Sequence, residues 1–175
     1  MSILYAGVDT GVTGAIGIID QDSGFVAVHD LPIIRDGKLG WIDAAALLSL
    51  LMEVRAGRPM RVYVERTHAM PLNGSQASFS QGCTLGSVLA TLQAAALSTV
   101  LVTPAMWKRH AGLGSDKAAA LDRARMRWPT APLDRKKHHN RAESLCIADF
   151  GRISGLQAVE VRVAEADSSK AVSHD

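Results

Sequence analysis

Two short apolar runs separated by a glycine-containing turn open the chain and predict a β-hairpin. The first run covers residues 3–9 and ends on Asp9, and the second covers residues 15–20. Both runs are apolar on both faces, which is typical of central strands covered by helices. A carboxylate at the end of such a strand costs free energy unless it is paired, hydrogen-bonded or bound to a metal. Asp9 is therefore a candidate site residue, although an aspartate that only caps the turn fits the same pattern.

The rest of the pattern mixes strands and helices and predicts an α/β fold. The predicted elements are strands over residues 24–31, 61–65 and 99–103, helices over residues 43–55, 75–97, 104–108, 115–127 and 141–153, and a loop over residues 32–40. Asp43 and Asn140 are the predicted N-caps of the first and the last helix. The helix crossover makes the fourth strand parallel to the first, so the simplest sheet places these two strands side by side.

Carboxylates end both of these neighbouring strands, because Glu65 closes the fourth strand as Asp9 closes the first. Neighbouring strands lie about 4.8 Å apart, which is close enough for the two carboxylates to share a divalent ion. Open α/β sheets bind ligands at this edge, and ligands that are all oxygen suit magnesium or manganese. The last helix adds Glu143 together with His139 or Asn140, because residues three or four positions apart share a helix face.

Length and composition indicate one globular domain over residues 1–155, with a C-terminal extension over residues 156–175 that we expect to be partly disordered. No apolar run reaches the roughly 18 residues of a membrane span, and no signal peptide is evident at the N-terminus. We therefore expect a cytoplasmic protein without a membrane partner. Cys83 and Cys146 lie in apolar contexts and are predicted to be buried free thiols.

Positive charge is concentrated in one part of the chain, although the net charge of the whole chain is only +2. The segment from Lys108 to Arg141 holds ten lysines or arginines and three aspartates, so the rest of the chain is net acidic. This asymmetry indicates a surface that meets an anion, with nucleic acid as the leading candidate, although a solvated helix face also fits. Within the segment, Arg135, Lys136 and Lys137 are predicted to contact backbone phosphates.

Taken together, the motifs resemble the RuvC-type Holliday-junction resolvases of the RNase H-like superfamily, in particular the short phage-encoded members. The resemblance covers roughly residues 3–153. It is carried by Gly7-Val8-Asp9-Thr10-Gly11 with Thr13-Gly14, by Val62-Tyr63-Val64-Glu65, by the stretch from Thr103 through Gly112-Leu113-Gly114 to Lys117, and by Ala142-Glu143-Ser144-Leu145-Cys146-Ile147-Ala148. It implies an RNase H-like five-stranded mixed sheet in the order 3-2-1-4-5 flanked by helices, a homodimer, and magnesium-dependent cutting of branched DNA. A phage-encoded protein would work in the cytoplasm of a bacterial host.

The resemblance also implies roles for individual residues. Asp9 and Glu65 match the first two acidic ligands of the family, and Glu143 matches the last. These carboxylates would hold Mg²⁺, with Mn²⁺ as a substitute and two ions in all. The remaining family ligand falls on Asn140, which leaves Asn140 and His139 as alternatives for the fourth position. Catalytic lysines of the family fall near Lys108 and Lys117, while His68 and Met70 are either junction contacts or ordinary loop residues.

Two features leave room for other interpretations. The Asp-bearing strand and the Gly/Thr hairpin also occur in sugar-kinase or actin-type ATPases, but those proteins need two related domains and a second phosphate loop. A non-catalytic branched-DNA-binding protein on the same fold would have acidic residues facing DNA, which weakens binding unless a metal is present.

A nuclease with less preference for branched DNA is a further alternative. The small residues of the helix over residues 75–97 predict close packing, either on the sheet or in a dimer.

Overall fold

A five-stranded mixed sheet lies at the centre of the computed structural model, which describes residues 2–11, 13–24, 26–37, 39–67, 74–114 and 117–155. Within these ranges the strands are β1 (Leu4–Asp9), β2 (Ala15–Asp20), β3 (Val26–Asp30), β4 (Ile33–Asp36), β5 (Leu39–Ile42), β6 (Met60–Glu65) and β7 (Ser98–Val102). The central sheet has the order β3-β2-β1-β6-β7. β1, β2 and β3 form an antiparallel meander, and β6 and β7 run parallel to β1. This order confirms the predicted 3-2-1-4-5 arrangement, with β6 and β7 as its fourth and fifth strands.

The region predicted as a loop after β3 is instead a second, two-stranded sheet. Residues Ile33 and Ile42 face each other at its base, and Asp36 pairs with Leu39 at its tip. The buried side chain of Ile42 anchors this β4–β5 hairpin in the hydrophobic core. The turn between its strands contains an Asp-Gly sequence, and Gly37 has a φ of 57°. The two strands have only four residues each, which is too short for a clear alternation of apolar and polar residues. The prediction of a loop was therefore wrong.

Helices cover both faces of the central sheet. They are α1 (Ala44–Arg55), α2 (Ser75–Ala94), α3 (Pro104–His110), α4 (Lys117–Arg127) and α5 (His139–Ser154). One core cluster joins α1 and α2 to the even-numbered residues of β1, and the other joins α3, α4 and α5 to the opposite face of the sheet. The side chain of Asp43 accepts a hydrogen bond from the backbone N–H of Ala46 at 2.9 Å, which confirms the predicted N-cap of α1.

The two cysteines lie in different environments. Cys146 is buried on α5 and Cys83 is exposed on α2, so the prediction of two buried thiols was wrong for Cys83. The α2 register turns that residue away from the sheet, while Thr84, Val88 and Leu92 face the core. In the described ranges, no helix combines the length and apolar character that a membrane span requires.

Candidate active site

The ends of β1 and β6 bring the first two predicted carboxylates to one edge of the sheet. The parallel register pairs Val8 with Val64, so Asp9 and Glu65 occupy the next positions of neighbouring strands. The buried hydroxyl of Thr10 donates to the backbone oxygen of Glu65 at 3.3 Å and ties the two strand ends together. This arrangement agrees with the prediction that the two acidic residues share the carboxyl edge of the sheet.

Alternation along the strands places both carboxylates on the face covered by α5. Tyr5 and Tyr63 lie in the core cluster that contains α5, and their rings stack at a centroid distance of 6.5 Å. Asp9 lies four residues after Tyr5, and Glu65 lies two residues after Tyr63. Since side chains an even number of positions apart share one face of a strand, both acids are directed towards the α5 face.

Two glycines let α5 lie almost directly on the strand backbones. A Cβ atom at Gly7 would come within 2.2 Å of the backbone oxygen of Ser144, and one at Gly17 would come within 2.7 Å of the backbone nitrogen of Leu145. Real Cβ contacts are not this short, so any side chain at either position would displace the helix. The backbone of α5 therefore approaches β1 and β2 at the residues that directly follow Glu143.

Glu143 is the third carboxylate of this region, and it is buried with 7% of its surface exposed. In the part of the chain that the structure describes, no residue gives it a hydrogen bond or an ion pair. A buried carboxylate without a partner is costly, and among the described residues the oxygens of Glu143 do not belong to the fully buried side-chain atoms that lack one, so they stay open to water or an ion. Asp149, further along α5, is equally buried, but it accepts a 2.7 Å hydrogen bond from Nη2 of Arg152. Asp149 is thus a structural carboxylate, and Glu143 retains its capacity to bind a cation.

The chemistry of these side chains fits a hard divalent cation, because all three offer carboxylate oxygens. Among the described residues, however, no three His, Cys, Asp or Glu side chains already surround a common ion position. The packing of α5 on β1 and the register of β1 with β6 bring the backbones of the three acids to one region of the sheet.

Asn140 links the start of α5 to the turn between β1 and β2. Its Nδ2 donates to the backbone oxygen of Thr13 at 2.6 Å and lies 3.0 Å from Oγ1 of the same residue. Because a carbonyl oxygen can only accept, the amide must present its NH₂ group to Thr13, and its Oδ1 points the other way. The N-cap of α5 is His138, which makes no side-chain capping bond. The prediction that Asn140 caps this helix was therefore wrong, because its amide is engaged by the turn.

A second link joins α5 to the end of β3. The guanidinium of Arg141 donates to both carboxylate oxygens of Asp30, at 2.6 Å from Nε and 2.7 Å from Nη2. These hydrogen bonds hold the pKa of Asp30 below its ordinary value. The pair is partly exposed, so its contribution to stability is small, about 1 kcal/mol or less. Sequence reasoning missed both links because the partners lie more than 100 residues apart in the chain.

The remaining predicted site residues occupy several positions. Lys108 is half-buried on α3, and its Nζ lies 5.2 Å from the centroid of the Trp107 ring, within range of a cation–π interaction. His139 is half-buried and is the first residue of α5. Arg135, Lys136 and Lys137 are exposed in the segment that precedes it. Lys117 begins α4. The side chain of Lys117 and both residues His68 and Met70 lie outside the part that the structure describes.

Solved structures, rather than sequences, reveal what this chain is similar to. No protein-family model and no curated protein matches the sequence. A structure of Thermus thermophilus RuvC matches 90% of this chain and 99% of its own, with a TM-score of 0.58 and 20% identity. T. thermophilus RuvC in complex with a Holliday junction substrate matches with the same coverage, a TM-score of 0.57 and 19% identity. The chain has a RuvC-type fold. This finding confirms the predicted RNase H-like α/β architecture and the strand order of the RuvC-type sheet.

Proposed function

We propose that this protein is a metal-dependent, structure-selective endonuclease that resolves four-way and other branched DNA by hydrolysis of phosphodiester bonds. The observation that carries the proposal is the buried, unpaired carboxylate of Glu143 on a helix that lies against β1, beside the strand ends that bear Asp9 and Glu65. The RuvC-type fold supports the same activity, since one solved structure with this fold is a complex with a Holliday junction substrate.

Asp9, Glu65 and Glu143 would hold Mg²⁺, or Mn²⁺ in its place, and two ions is the number that we propose. Held by these residues, the ions would supply activation of a water molecule and stabilisation of the leaving 3′ oxygen. The chain supplies the oxygen ligands and, through the contact of α5 with Gly7 and Gly17, fixes the helix against the strands. The fourth ligand would be Oδ1 of Asn140, which is directed away from the Thr13 carbonyl, or the imidazole of His139.

Lysines would act on the charge of the scissile phosphate. Lys108 and Lys117 would offset the negative charge that develops in the transition state. This role depends more on a fixed position of each ammonium group than on the number of lysines. The ring of Trp107 beneath the Lys108 ammonium supports a fixed position for that side chain. Arg135, Lys136 and Lys137 are exposed and would hold backbone phosphates.

The surface that contacts the DNA junction would also include residues outside the basic segment and the three carboxylates. His68 and Met70 would lie near the branch point, where they would stack or wedge. Two symmetric cuts in a four-way junction require two sites, which a homodimer with twofold symmetry supplies. We propose α2 as its interface, because Phe79 is 71% exposed and a Cβ added at Gly82 or Gly86 would meet no atom within 4 Å. The protein would meet its DNA substrate in the cytoplasm.

A parallel cleavage assay tests the proposed function. Wild-type protein is incubated with a four-way junction, a flap and a linear duplex, in Mg²⁺ and in EDTA, and ATP hydrolysis is measured alongside. We expect nicks in the branched substrates in Mg²⁺ only, with little ATP hydrolysis. Junction binding without any cleavage would favour the non-catalytic DNA-binding protein, and ATP hydrolysis without cleavage would favour the ATPase. Equal cleavage of duplex and junction would reject the preference for branched DNA.

A further inference from the structure

A groove of about 590 Å³ opens beside the candidate active site. Three segments line it: the β1–β2 turn at Thr13 and Gly14, the segment from Asp30 to Arg35, and the segment from Asp134 to Arg141. The Asn140–Thr13 and Arg141–Asp30 hydrogen bonds join these segments. The groove is therefore continuous with the turn that follows Asp9, and the β4–β5 hairpin contributes to its lining.

Positive charge predominates in this groove. Its lining includes four arginines or lysines, which are Arg35, Arg135, Lys137 and Arg141, and two aspartates, which are Asp30 and Asp134. Each aspartate lies beside an arginine of the same groove. Asp30 is held by both hydrogen bonds from Arg141, and Asp134 lies 3.7 Å from the guanidinium of Arg135.

Two cations of the lining keep their charge available for a ligand. Arg35 and Lys137 are both exposed, and neither has a hydrogen bond or an ion pair with any residue in the described ranges. They come from segments that are about 100 residues apart in the chain, and the Arg141–Asp30 pair brings those segments together. A ligand that satisfies both must carry more than one negative group or extend along the groove.

We propose that this groove binds the sugar-phosphate backbone of a DNA strand that continues from the scissile phosphate, and that Arg35 is the contact supplied by the β4–β5 hairpin. The inference rests on the proposed function and adds a defined path for the DNA. A strand carries one negative charge about every 3.4 Å of helix axis, so it presents a row of anions to the spaced cations of the groove. The guanidinium of Arg35 also suits a phosphate because it can donate two parallel hydrogen bonds.

Binding as a function of salt concentration tests the role of Arg35. The affinity for a four-way junction is measured in EDTA, where no cleavage occurs, between 50 and 200 mM salt. Neutralisation of one phosphate contributes about 0.9 to the slope of log K against log salt. We expect Arg35→Ala to weaken binding about five-fold at the low-salt end and to reduce the slope by about 0.9. Arg35→Lys should keep most of the slope, and Arg35→Ala with Lys137→Ala should reduce it by about 1.8.

Arg55→Ala is the matched control, because Arg55 ends α1, five residues before β6 starts at the opposite edge of the sheet. It should leave the slope unchanged. Ethylation interference on the junction then locates the contact, since Arg35→Ala should relieve interference at one or two phosphates next to the cut. Thermal melting of each variant verifies folding.

The outcomes separate this inference from the proposed function. An unchanged slope and an unchanged interference pattern in folded Arg35→Ala, with wild-type protein that cuts junctions normally, would overturn the groove proposal alone. A wild-type protein that binds no branched DNA would overturn both. Inorganic phosphate can also be added as a competitor. If it displaces the junction as well as unlabelled junction DNA does at the same concentration of phosphate groups, the groove is a site for small anions and not a path for DNA.

Discussion

Two buried carboxylates at opposite edges of the sheet differ in how their charge is satisfied. Asp20 ends β2 beside the first residues of β1, and it accepts hydrogen bonds from the backbone N–H groups of Asp22 and Ser23 and from Nη1 of Arg58 at 2.5 Å. Glu143, at the edge where β1 and β6 end, is buried to the same degree and has no such partner among the described residues. Asp20 is thus held by donors of the protein itself, whereas Glu143 is the carboxylate for which we propose a metal ion as partner.

The pKa of Asp20 shows how strong the structural arrangement is. The hydrogen bond from the Ser23 backbone lowers the pKa from 3.8 to about 2, against the opposing effect of burial and with help from Asp22 and Arg58. Because the folded-state pKa is depressed, this stability is present in full above pH 4 and is lost as the pH falls through 2. The depression corresponds to about 2 kcal/mol of unfolding free energy.

The largest expected effect is the loss of cleavage when a proposed metal ligand is removed. Asp9→Asn and Glu143→Gln should each reduce junction cleavage in Mg²⁺ by more than about 100-fold. Both changes remove negative charge, so junction binding should persist. Glu143→Gln should also leave the melting temperature in EDTA unchanged or raise it, because it removes a buried unpaired charge. Gel-based cleavage and thermal melting measure the two effects.

Exposed Glu53 on α1 provides the control, and Glu53→Gln should change neither quantity. Wild-type cleavage by Asp9→Asn or Glu143→Gln would mean that the carboxylates of this edge are not the active site. A lower melting temperature of Glu143→Gln in EDTA would mean that its carboxylate is satisfied in the folded protein, and the contrast with Asp20 would disappear.

The next effect separates the lysines by the step on which they act. Lys117→Ala should lower the cleavage rate at saturating enzyme by about 100-fold, since loss of one preorganised contact to the transition state costs that much. Lys136→Ala should instead weaken junction binding and reduce its salt dependence, with little change in the saturated rate. Single-turnover kinetics and binding titrations measure both. An equal loss of binding in the two variants, with equal saturated rates, would reject the division.

Asp20→Asn should produce the opposite result to Glu143→Gln. It should reduce the free energy of unfolding by about 2 kcal/mol at pH 7, because the neutral amide cannot replace the charge-assisted hydrogen bond from Arg58. Cleavage at 25 °C should remain, since Asp20 lies at the far edge of the sheet. Urea unfolding at pH 7 and at pH 2 measures the change, and the difference between variant and wild type should shrink at the lower pH.

Asp22 is the matched control for that experiment, since it is exposed in the same turn and only its backbone N–H is used by Asp20. Asp22→Asn should leave unfolding unchanged. A difference between Asp20→Asn and wild type that stays constant down to pH 2 would show that the stabilisation does not come from the carboxylate charge.

The sequence contains enough information for the central sheet and for the edge that bears the acids. Short apolar runs predicted β1, β2 and β6, and a carboxylate at the end of such a run is visible without a structure. The β4–β5 hairpin was missed because its four-residue strands carry no clear period. Arg35 was missed with it, since a charged residue in a predicted loop has no pattern to distinguish it.

Long-range hydrogen bonds were equally hidden in the sequence. Asn140 directly precedes the predicted last helix, and an asparagine at that position is typical of an N-cap, because it can accept from the free N–H groups of the helix start. In the structure the amide of Asn140 instead donates a hydrogen bond to Thr13, which lies 127 residues away in the chain, and the local sequence does not predict this contact. The proposed roles of His68, Met70 and the side chain of Lys117 remain predictions, because they lie outside the described residues.

The smallest expected effect concerns the fourth ligand, and it refines the contrast between satisfied and unsatisfied carboxylates. Asn140→Asp adds a negative charge beside three proposed carboxylate ligands, which should tighten Mn²⁺ binding in the absence of DNA. The same change replaces an amide donor by an acceptor that faces the Thr13 carbonyl, where Nδ2 now lies at 2.6 Å. Loss of that hydrogen bond should cost about 1 kcal/mol of stability in EDTA.

Calorimetric titration of Mn²⁺, with thermal melting in EDTA and in Mn²⁺, distinguishes the alternatives for this position. We expect Asn140→Asp to bind Mn²⁺ a few-fold more tightly, to melt lower than wild type in EDTA, and to regain the difference when the ion is added. Asn140→Ala is the control, because it loses the bond to Thr13 without adding charge and should melt lower in both conditions. If Asn140→Asp leaves the affinity unchanged while His139→Ala weakens it, the fourth ligand is His139. If neither variant changes the affinity, three carboxylates and water complete the site, and Asn140 serves only to hold the β1–β2 turn against α5.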